Sequence, residues 1–442
     1  MFKIIINKNS KIIVLLSIMY FASLQYAYVN IEGTVFSYAG FTVTFNGARY
    51  VVGWILYVIG ILLFYSFHER MSSLFFYIIF NLSIAPVIVL FQYDEKVKLW
   101  MIVYQFLMLF IIRVAHYMFI KTTRVARAEK MKLVLSKKNG KIVLSVIAIF
   151  FVVMLAKYGI PSISSILLSN ISTIRHEASF PLYITLMISL VCRILNPIFI
   201  SLQIDEKSWG KMIYLIMVQV YFYAITGFKT LLFIPIVIVL IKYCRFESFN
   251  RIILLGLLVA VVGTVVLYDV TQITMIPALI TNRVIFIPAR IKYAFFEYFA
   301  DNSFVYFSQS SIARIFGITS NYDMPIVYLI GEKYFNDVNS WANTGFLADA
   351  YAQMGYVGGA IISVLMAIEL FWIDKVTCFR NNTVGTALFL LYFINLNDGA
   401  LISVSVSGGM IAAIIFFGLI NRRKNETDSI FSGKIDSVQL AE

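Results

Sequence analysis

The sequence predicts an all-α integral membrane protein with about twelve transmembrane helices and one large external (periplasmic) loop containing short helices. Only 13% of its 442 residues are charged while 60% are hydrophobic, so a soluble globule of this size could not cover its surface with polar groups. The mean hydropathy of +0.85 makes lipid the main solvent. The apolar residues fall in runs of bilayer length, with the basic residues gathered in short segments between them.

A helix needs about 17–25 apolar residues to cross a hydrocarbon core roughly 30 Å thick. Such runs occupy residues 12–29, 50–67, 71–91, 99–120, 142–158, 182–203, 211–226, 229–243, 252–270, 356–373, 384–398 and 400–420. The first follows Lys3, Lys8 and Lys11, and no small-x-small site closes it before Asn30, so it reads as a retained signal anchor. The loop at 121–141 carries Lys121, Arg124, Arg127, Lys130, Lys132, Lys137, Lys138 and Lys141 against Glu129 alone. The positive-inside rule makes that loop cytoplasmic. Counting spans from it puts both termini on the same side, together with Lys242, Arg245 and Arg251, then Lys375 and Arg380, then Arg422, Arg423 and Lys424. The net charge of +13 thus belongs to loops flanking membrane spans, and no nucleic-acid partner is expected.

This topology divides the chain into a membrane domain at 1–270 with about nine spans and an external loop at 159–181, a large external loop at 271–355, C-terminal spans at 356–420 and a cytoplasmic tail at 421–442. Cys192, Cys244 and Cys378 lie in or beside apolar runs without CxxC spacing, a pattern of small core residues, not of a metal site or disulfide framework. The external side receives 30–49, 159–181, a tight turn at Thr226, Gly227, Phe228 and Lys229, and the long loop. The seventh and eighth runs share about 33 residues, barely enough for two crossings, which sets Lys229 below the external surface. Two readings fit it: a cation and backbone N–H groups offered to a ligand at membrane depth, or a lysine snorkelling to an ordinary interface.

In the long loop, Pro288 suits the first turn of a helix running to about Asp301. At about 100° per residue, Arg290, Tyr293, Ala294, Glu297 and Asp301 share one stripe, and Ile291, Phe295, Phe296 and Phe299 fall elsewhere. Such an external amphipathic helix either presents a cation and carboxylates to a ligand or lies at the interface with those groups in water. The rings of Tyr306, Phe307, Phe316, Tyr322, Tyr334 and Trp341 read as interface anchors or as stacking platforms for sugars. Further on, Asn343 or Thr344 is a suitable N-cap for a short helix, Gly355 a suitable stop, and Gly358 and Gly359 open the tenth span. Asp349 is expected at the membrane surface, as a sugar contact or a solvated helix residue.

His68 and His116 fall on the cytoplasmic side, so external imidazole chemistry can use only His176, which sits between Arg175 and Glu177. A loop histidine that is simply exposed is the other reading. Polar groups inside spans are few: Asn81 and Pro86 in the third, Arg193 and Asn196-Pro197 in the sixth, and Asn397-Asp398 where the last two meet. Arg193 is a candidate functional group by its membrane position, or else it pairs with a helix end or steadies Asn196 at the proline. There is no Walker A sequence, GxGxxG, HExxH or GxSxG, and no internal repeat.

About twelve spans with a large late external loop, Arg283–Pro288–Arg290 ahead of a Tyr/Phe-rich helix, and Asn343, Asp349, Tyr351, Gly355 and Gly358 leading into the next span together resemble the Wzy-type O-antigen or capsule repeat-unit polymerases of bacteria. The topology covers most of the chain. At Lys229 the chain departs from the arginine that some relatives carry. The resemblance implies glycosyl transfer on the outer face of the bacterial inner (plasma) membrane, moving a growing glycan from undecaprenyl diphosphate to the terminal sugar of a lipid-linked repeat unit. It implies no cofactor and no metal. Its partners would be the undecaprenyl-diphosphate-linked oligosaccharide, membrane lipids, and a chain-length regulator and flippase of the same pathway. Arg283, Arg290, Lys229 and Arg175 would contact the diphosphate. His176, Glu177, Glu297 and Asp349 are the candidates to receive or orient the acceptor hydroxyl, and Tyr293, Asn343 and Tyr351 would bind sugar. A ligase that moves finished polysaccharide to the lipid A core, a flippase or transporter of lipid-linked sugar, and a non-catalytic assembly partner remain as alternatives.

Overall fold

A computed structural model describes residues 8–65, 70–123, 137–162, 180–243, 249–310, 313, 317–337, 341–377 and 383–418. Among these residues the chain is helical and without strands. Eight helices are long and apolar enough to cross a membrane, and the protein is a membrane-embedded α-helical one. They lie in α1 (Lys11–Val35), α2 (Gly47–Phe64), α3 (Met71–Tyr93), α4 (Leu99–Thr122), α5 (Gly140–Tyr158), α6 (Tyr183–Ile204), then α9 (Asn250–Thr271) and α12 (Phe346–Val376). Between them run α7 (Trp209–Thr226), α8 (Lys229–Tyr243), α10 (Ile287–Asp301) and α11 (Ile326–Phe335), and α13 (Thr383–Asn395) follows.

The remaining expected crossings fall short of that length and apolarity. The pair α7 and α8 is the short hairpin expected from the sequence, turned by Gly227 at φ 66°. The run at 400–420 is not one helix. It breaks after Leu401–Val406, passes Gly409 at φ 86° and resumes at 410. A non-glycine residue would be strained at that φ.

The chain forms two compact units. The first holds Met1–Val125, Phe246–Phe371 and Phe393–Leu401, and at its centre is α3, whose span is buried throughout. Asn81 sits within α3, fully buried, and its side chain donates to Tyr65 Oη (2.8 Å) and the Tyr77 carbonyl (2.8 Å). Around Asn81 the backbone widens to a π segment, Ile79–Ile84, just before Pro86. Proline has no N–H to give the carbonyl four residues back, and the wider turn absorbs the mismatch. The same arrangement recurs at Val191–Leu195 before Pro197 and at Ala278–Phe286 before Pro288.

The end of α3 and the turn that follows it are held from α2. Arg49 donates from Nε to Phe91 O (2.7 Å) and from Nη2 to Asp94 O (2.8 Å) and Val97 O (2.6 Å), with its guanidinium 4.3 Å from the Phe91 ring centre. Arg49 itself is placed by Asn46, which caps α2 by accepting from the N–H groups of Ala48 and Arg49.

The helix expected from Pro288 to Asp301 is present as α10, but it is not an amphipathic helix lying at an interface. It packs on the Ala85–Tyr93 end of α3 and on α11, and Arg290, Lys292, Tyr293, Phe295, Phe296, Tyr298 and Phe299 are all buried. Neither Asn343 nor Thr344 caps the helix that follows. Gly345 does, accepting from the N–H groups of Ala348 and Asp349. Gly355 stops that helix as expected, since Met354 and Gly355 leave helical geometry, Gly355 at φ 58°. A Cβ on Gly355 would meet Phe304 at 2.8 Å.

The second unit holds Ala126–Arg245, Trp372–Tyr392 and Ile402–Glu442. In it Asn196 donates to Gln219 Oε1 (2.7 Å) and Leu215 O (2.9 Å), and Gln219 donates to Cys192 O (2.9 Å), which ties α6 to α7. Arg193 therefore does not steady Asn196. Its guanidinium lies 5.7 Å from the Phe228 ring centre.

Arg49→Ala should strip the Phe91, Asp94 and Val97 carbonyls of their donor and lower stability by about 1–3 kcal/mol, as expected for losing charged hydrogen bonds to carbonyls. A fall in the thermal midpoint of the detergent-solubilised protein is the readout; an unchanged midpoint would show that water caps α3 equally well.

Candidate functional site

The candidate site lies in the first unit, where the rod Ala278–Asp301 runs beside the end of α1 and the loop that follows it. Successive turns of the rod make successive contacts. Asn282 Nδ2 donates to Glu32 Oε2 (2.7 Å), the Phe286 ring lies 5.3 Å from that of Tyr28, and the Arg290 guanidinium lies 5.7 Å from the Phe41 ring centre. From the other side Phe335 of α11 stands 5.9 Å from the guanidinium. Gly40 closes the cradle at φ 84°, and a Cβ there would lie 2.7 Å from Arg290 Cζ. Tyr28 fixes this loop by donating to Thr42 O (2.8 Å).

Arg290 is buried and its Nε has no hydrogen-bond partner. Two aromatic faces supply about 0.5–2 kcal/mol each, less than the several kcal/mol that burying an unpaired ion costs. Arginine does not shed its proton to relieve that cost. Among the described residues nothing offsets that cost. One turn on, Tyr293 is buried with its hydroxyl lacking a hydrogen bond of good geometry, although the Glu297 carboxylate lies close enough to act on it. Burial first and Glu297 second push the Tyr293 phenol well above its ordinary range, and Tyr334 on α11 is shifted upward by the same two causes. Of the stripe read from the sequence, Arg290, Tyr293 and Ala294 are buried against protein, Glu297 is half-buried and Asp301 is exposed.

The opposite face of α10 holds a residue that the stripe did not single out. Lys292 is buried and donates from Nζ to Asn397 Oδ1 (2.6 Å). Burial pulls its pKa down to about 7, partly offset by Asp398. Gly345 makes room for it, since a Cβ there would lie 2.8 Å from Lys292 Cε.

The other sequence-predicted residues are scattered. Arg283 is exposed, seven residues before Arg290. Tyr351 is packed among Trp100, Tyr104 and Phe296, with ring centres 5.2–5.4 Å away, as a core residue and not an open platform. Asn343 accepts from Trp341 Nε1. Asp349 accepts from Gln353 Nε2 (3.2 Å), and Gln353 Oε1 accepts from Phe307 N (2.8 Å), where Tyr306 and Phe307 hold positive φ of 52° and 58°. Asp349 thus orients the side chain that pins a strained turn. Lys229 opens α8 in the second unit, and its side chain lies outside the described residues, as do Arg175, His176, Glu177, His68, Phe316, Cys244, Cys378 and the tail at 421–442.

Lys292 generates a pH prediction. The folded chain holds its proton with a pKa of about 7 against 10.5 when free, so the unfolded chain binds more protons between those values and stability rises with pH across that window. The penalty is full below about pH 7 and fades towards 10.5. The midpoint of Lys292→Met minus that of wild type should therefore fall as pH rises through the window, and a flat difference would show that Lys292 does not titrate there.

No protein-family model, no curated protein and no solved structure matches the chain.

Proposed function

We propose that the protein is a Wzy-type polymerase of lipid-linked O-antigen or capsule repeat units, acting on the outer face of the bacterial inner membrane with both termini cytoplasmic, the shorter helices α7, α8 and α13 and the broken run that begins at Leu401 completing about twelve crossings. The observation that carries this reading is Arg290, a buried guanidinium without an anion, held between two rings on the helix that follows Pro288.

The chemistry needs such a group. An acceptor hydroxyl attacks the anomeric carbon of the growing glycan, the bond from that carbon to the diphosphate oxygen breaks, and the electron pair leaves with the diphosphate. A fixed cation in a dry site stabilises that charge as it develops, at about 1.5–3 kcal/mol per charge-assisted bond. Glu297, on the same face of α10, is available to take the hydroxyl proton. The diphosphate is already a good leaving group, so the scheme calls on no metal or nucleotide.

Purified protein given lipid-linked repeat units should make longer glycans without added metal or nucleotide. In cells, Arg290→Ala should abolish chain extension at normal protein abundance, leaving single repeat units on the surface lipid. Gly40→Ala should reproduce the defect by displacing the guanidinium. Surface lipid bearing no repeat unit at all would point instead to a ligase, and failure to deliver units outward to a flippase. Full-length polysaccharide from Arg290→Ala would remove Arg290 from the site.

A further inference from the structure

Arg290 is not the only unpaired group in its surroundings. Glu32 is fully buried, with Oε2 bound to Asn282 and Oε1 lacking a hydrogen bond of good geometry, although the Thr281 hydroxyl lies close enough to act on the carboxylate. Asp94 is buried at the end of α3, with Oδ1 accepting from Lys96 N (3.0 Å) and Oδ2 without a partner. The Tyr28 ring stands among all three. It lies 6.0 Å from Phe41, on which Arg290 rests, and 5.8 Å from Tyr93, the neighbour of Asp94, and Glu32 is one turn further along its own helix. Arg290, Asp94 and Glu32 each act electrostatically on the Tyr28 hydroxyl, and Asp94 also acts on Tyr293. Arg49 acts electrostatically on Asp94 but spends Nε, Nη1 and Nη2 on backbone carbonyls, and Asn282 reaches one oxygen of Glu32 only.

An unpaired buried donor or acceptor costs about 1–3 kcal/mol, more when charged, and native proteins rarely keep several together without an occupant. The occupant that fits carries an anion for the arginine and hydroxyl donors for two carboxylates, which is the chemistry of a phosphorylated sugar. We propose that Asp94 and Glu32, with Arg290, line a single buried site for a sugar diphosphate, in which the two carboxylates accept hydrogen bonds from sugar hydroxyls. This rests on the polymerase reading and adds to it the residues that hold the carbohydrate. Neither carboxylate belongs to the conspicuous external loop. Each ends a transmembrane helix and is brought to Arg290 by the fold.

The test uses the full-length protein in lipid nanodiscs with two probes, undecaprenyl diphosphate and lipid-linked repeat units extracted from cells lacking the protein. Wild type should bind the sugar-bearing probe more tightly than the bare diphosphate. Asp94→Asn and Glu32→Gln should each weaken binding of the sugar-bearing probe about tenfold or more, and raise its KM, while binding undecaprenyl diphosphate as wild type does. Arg290→Ala should lose both probes. Equal affinity of wild type for the two probes, or unchanged binding in both carboxylate variants, would overturn the proposal and leave these oxygens to trapped water. A carboxylate variant that loses undecaprenyl diphosphate as well has lost more than its sugar contact, and the comparison of probes on wild type then decides. If wild type binds neither probe, the polymerase reading fails and this inference with it.

Discussion

A guanidinium buried without a counter-ion stays in place only if everything around it is rigid, and Arg290 imposes that demand on the first unit. Its helix rests on α3, the one span among the described residues that is buried along its whole length, so α10 has a support that lipid does not touch. The loop over the guanidinium is fixed at its other end, where Thr44 donates from N (2.8 Å) and Oγ1 (3.0 Å) to Tyr93 O. Arg49 then ties α2 to the same end of α3. The capping of one helix and the presentation of a cation are in this way a single piece of construction.

The π segments belong to the same construction. A proline in the interior of a continuous helix ordinarily kinks it, and a kink at Pro288 would swing Arg290 away from Phe41. Widening the preceding turns keeps Ala278–Phe286 and Ile287–Asp301 in one rod, so that Asn282, Phe286 and Arg290 meet Glu32, Tyr28 and Phe41 in sequence. Around Asn81 the same device opens space in a fully buried span, and the asparagine fills it with hydrogen bonds to Tyr65 and Tyr77.

Much of this was legible in the sequence, because it depends on local pattern. The long apolar runs, the helix from Pro288, the shared stripe of Arg290, Tyr293 and Glu297, the short hairpin at Gly227 and the stop at Gly355 all follow from periodicity, proline and glycine. What escaped was burial. The residues of α10 are polar enough to suggest a water-facing side, and only tertiary contact with α3, α11 and the 36–46 loop covers them. Glu32 and Asn282 are 250 residues apart, and Lys292 and Asn397 are 105 apart; no local spacing announces such pairs. The break at Gly409 escaped for a related reason, since an apolar run with glycines reads as a span whether or not the backbone turns within it.

The two cations of α10 show why position alone does not identify an anion site. Lys292 is the more completely buried, yet it has a good acceptor in Asn397 and a pKa near 7, so it can give up its charge and remain hydrogen-bonded as a neutral amine. Its contact latches α10 to the segment after α13 and leaves it only partly charged at neutral pH. Arg290 has neither escape: its proton stays, and no acceptor meets its Nε. Exchanging the two residue types would move the permanent charge to the face lined by Asn397 and Gly345, and put a titratable group between Phe41 and Phe335. The placement of arginine and lysine on opposite faces of one helix therefore separates a permanent charge from a titratable latch.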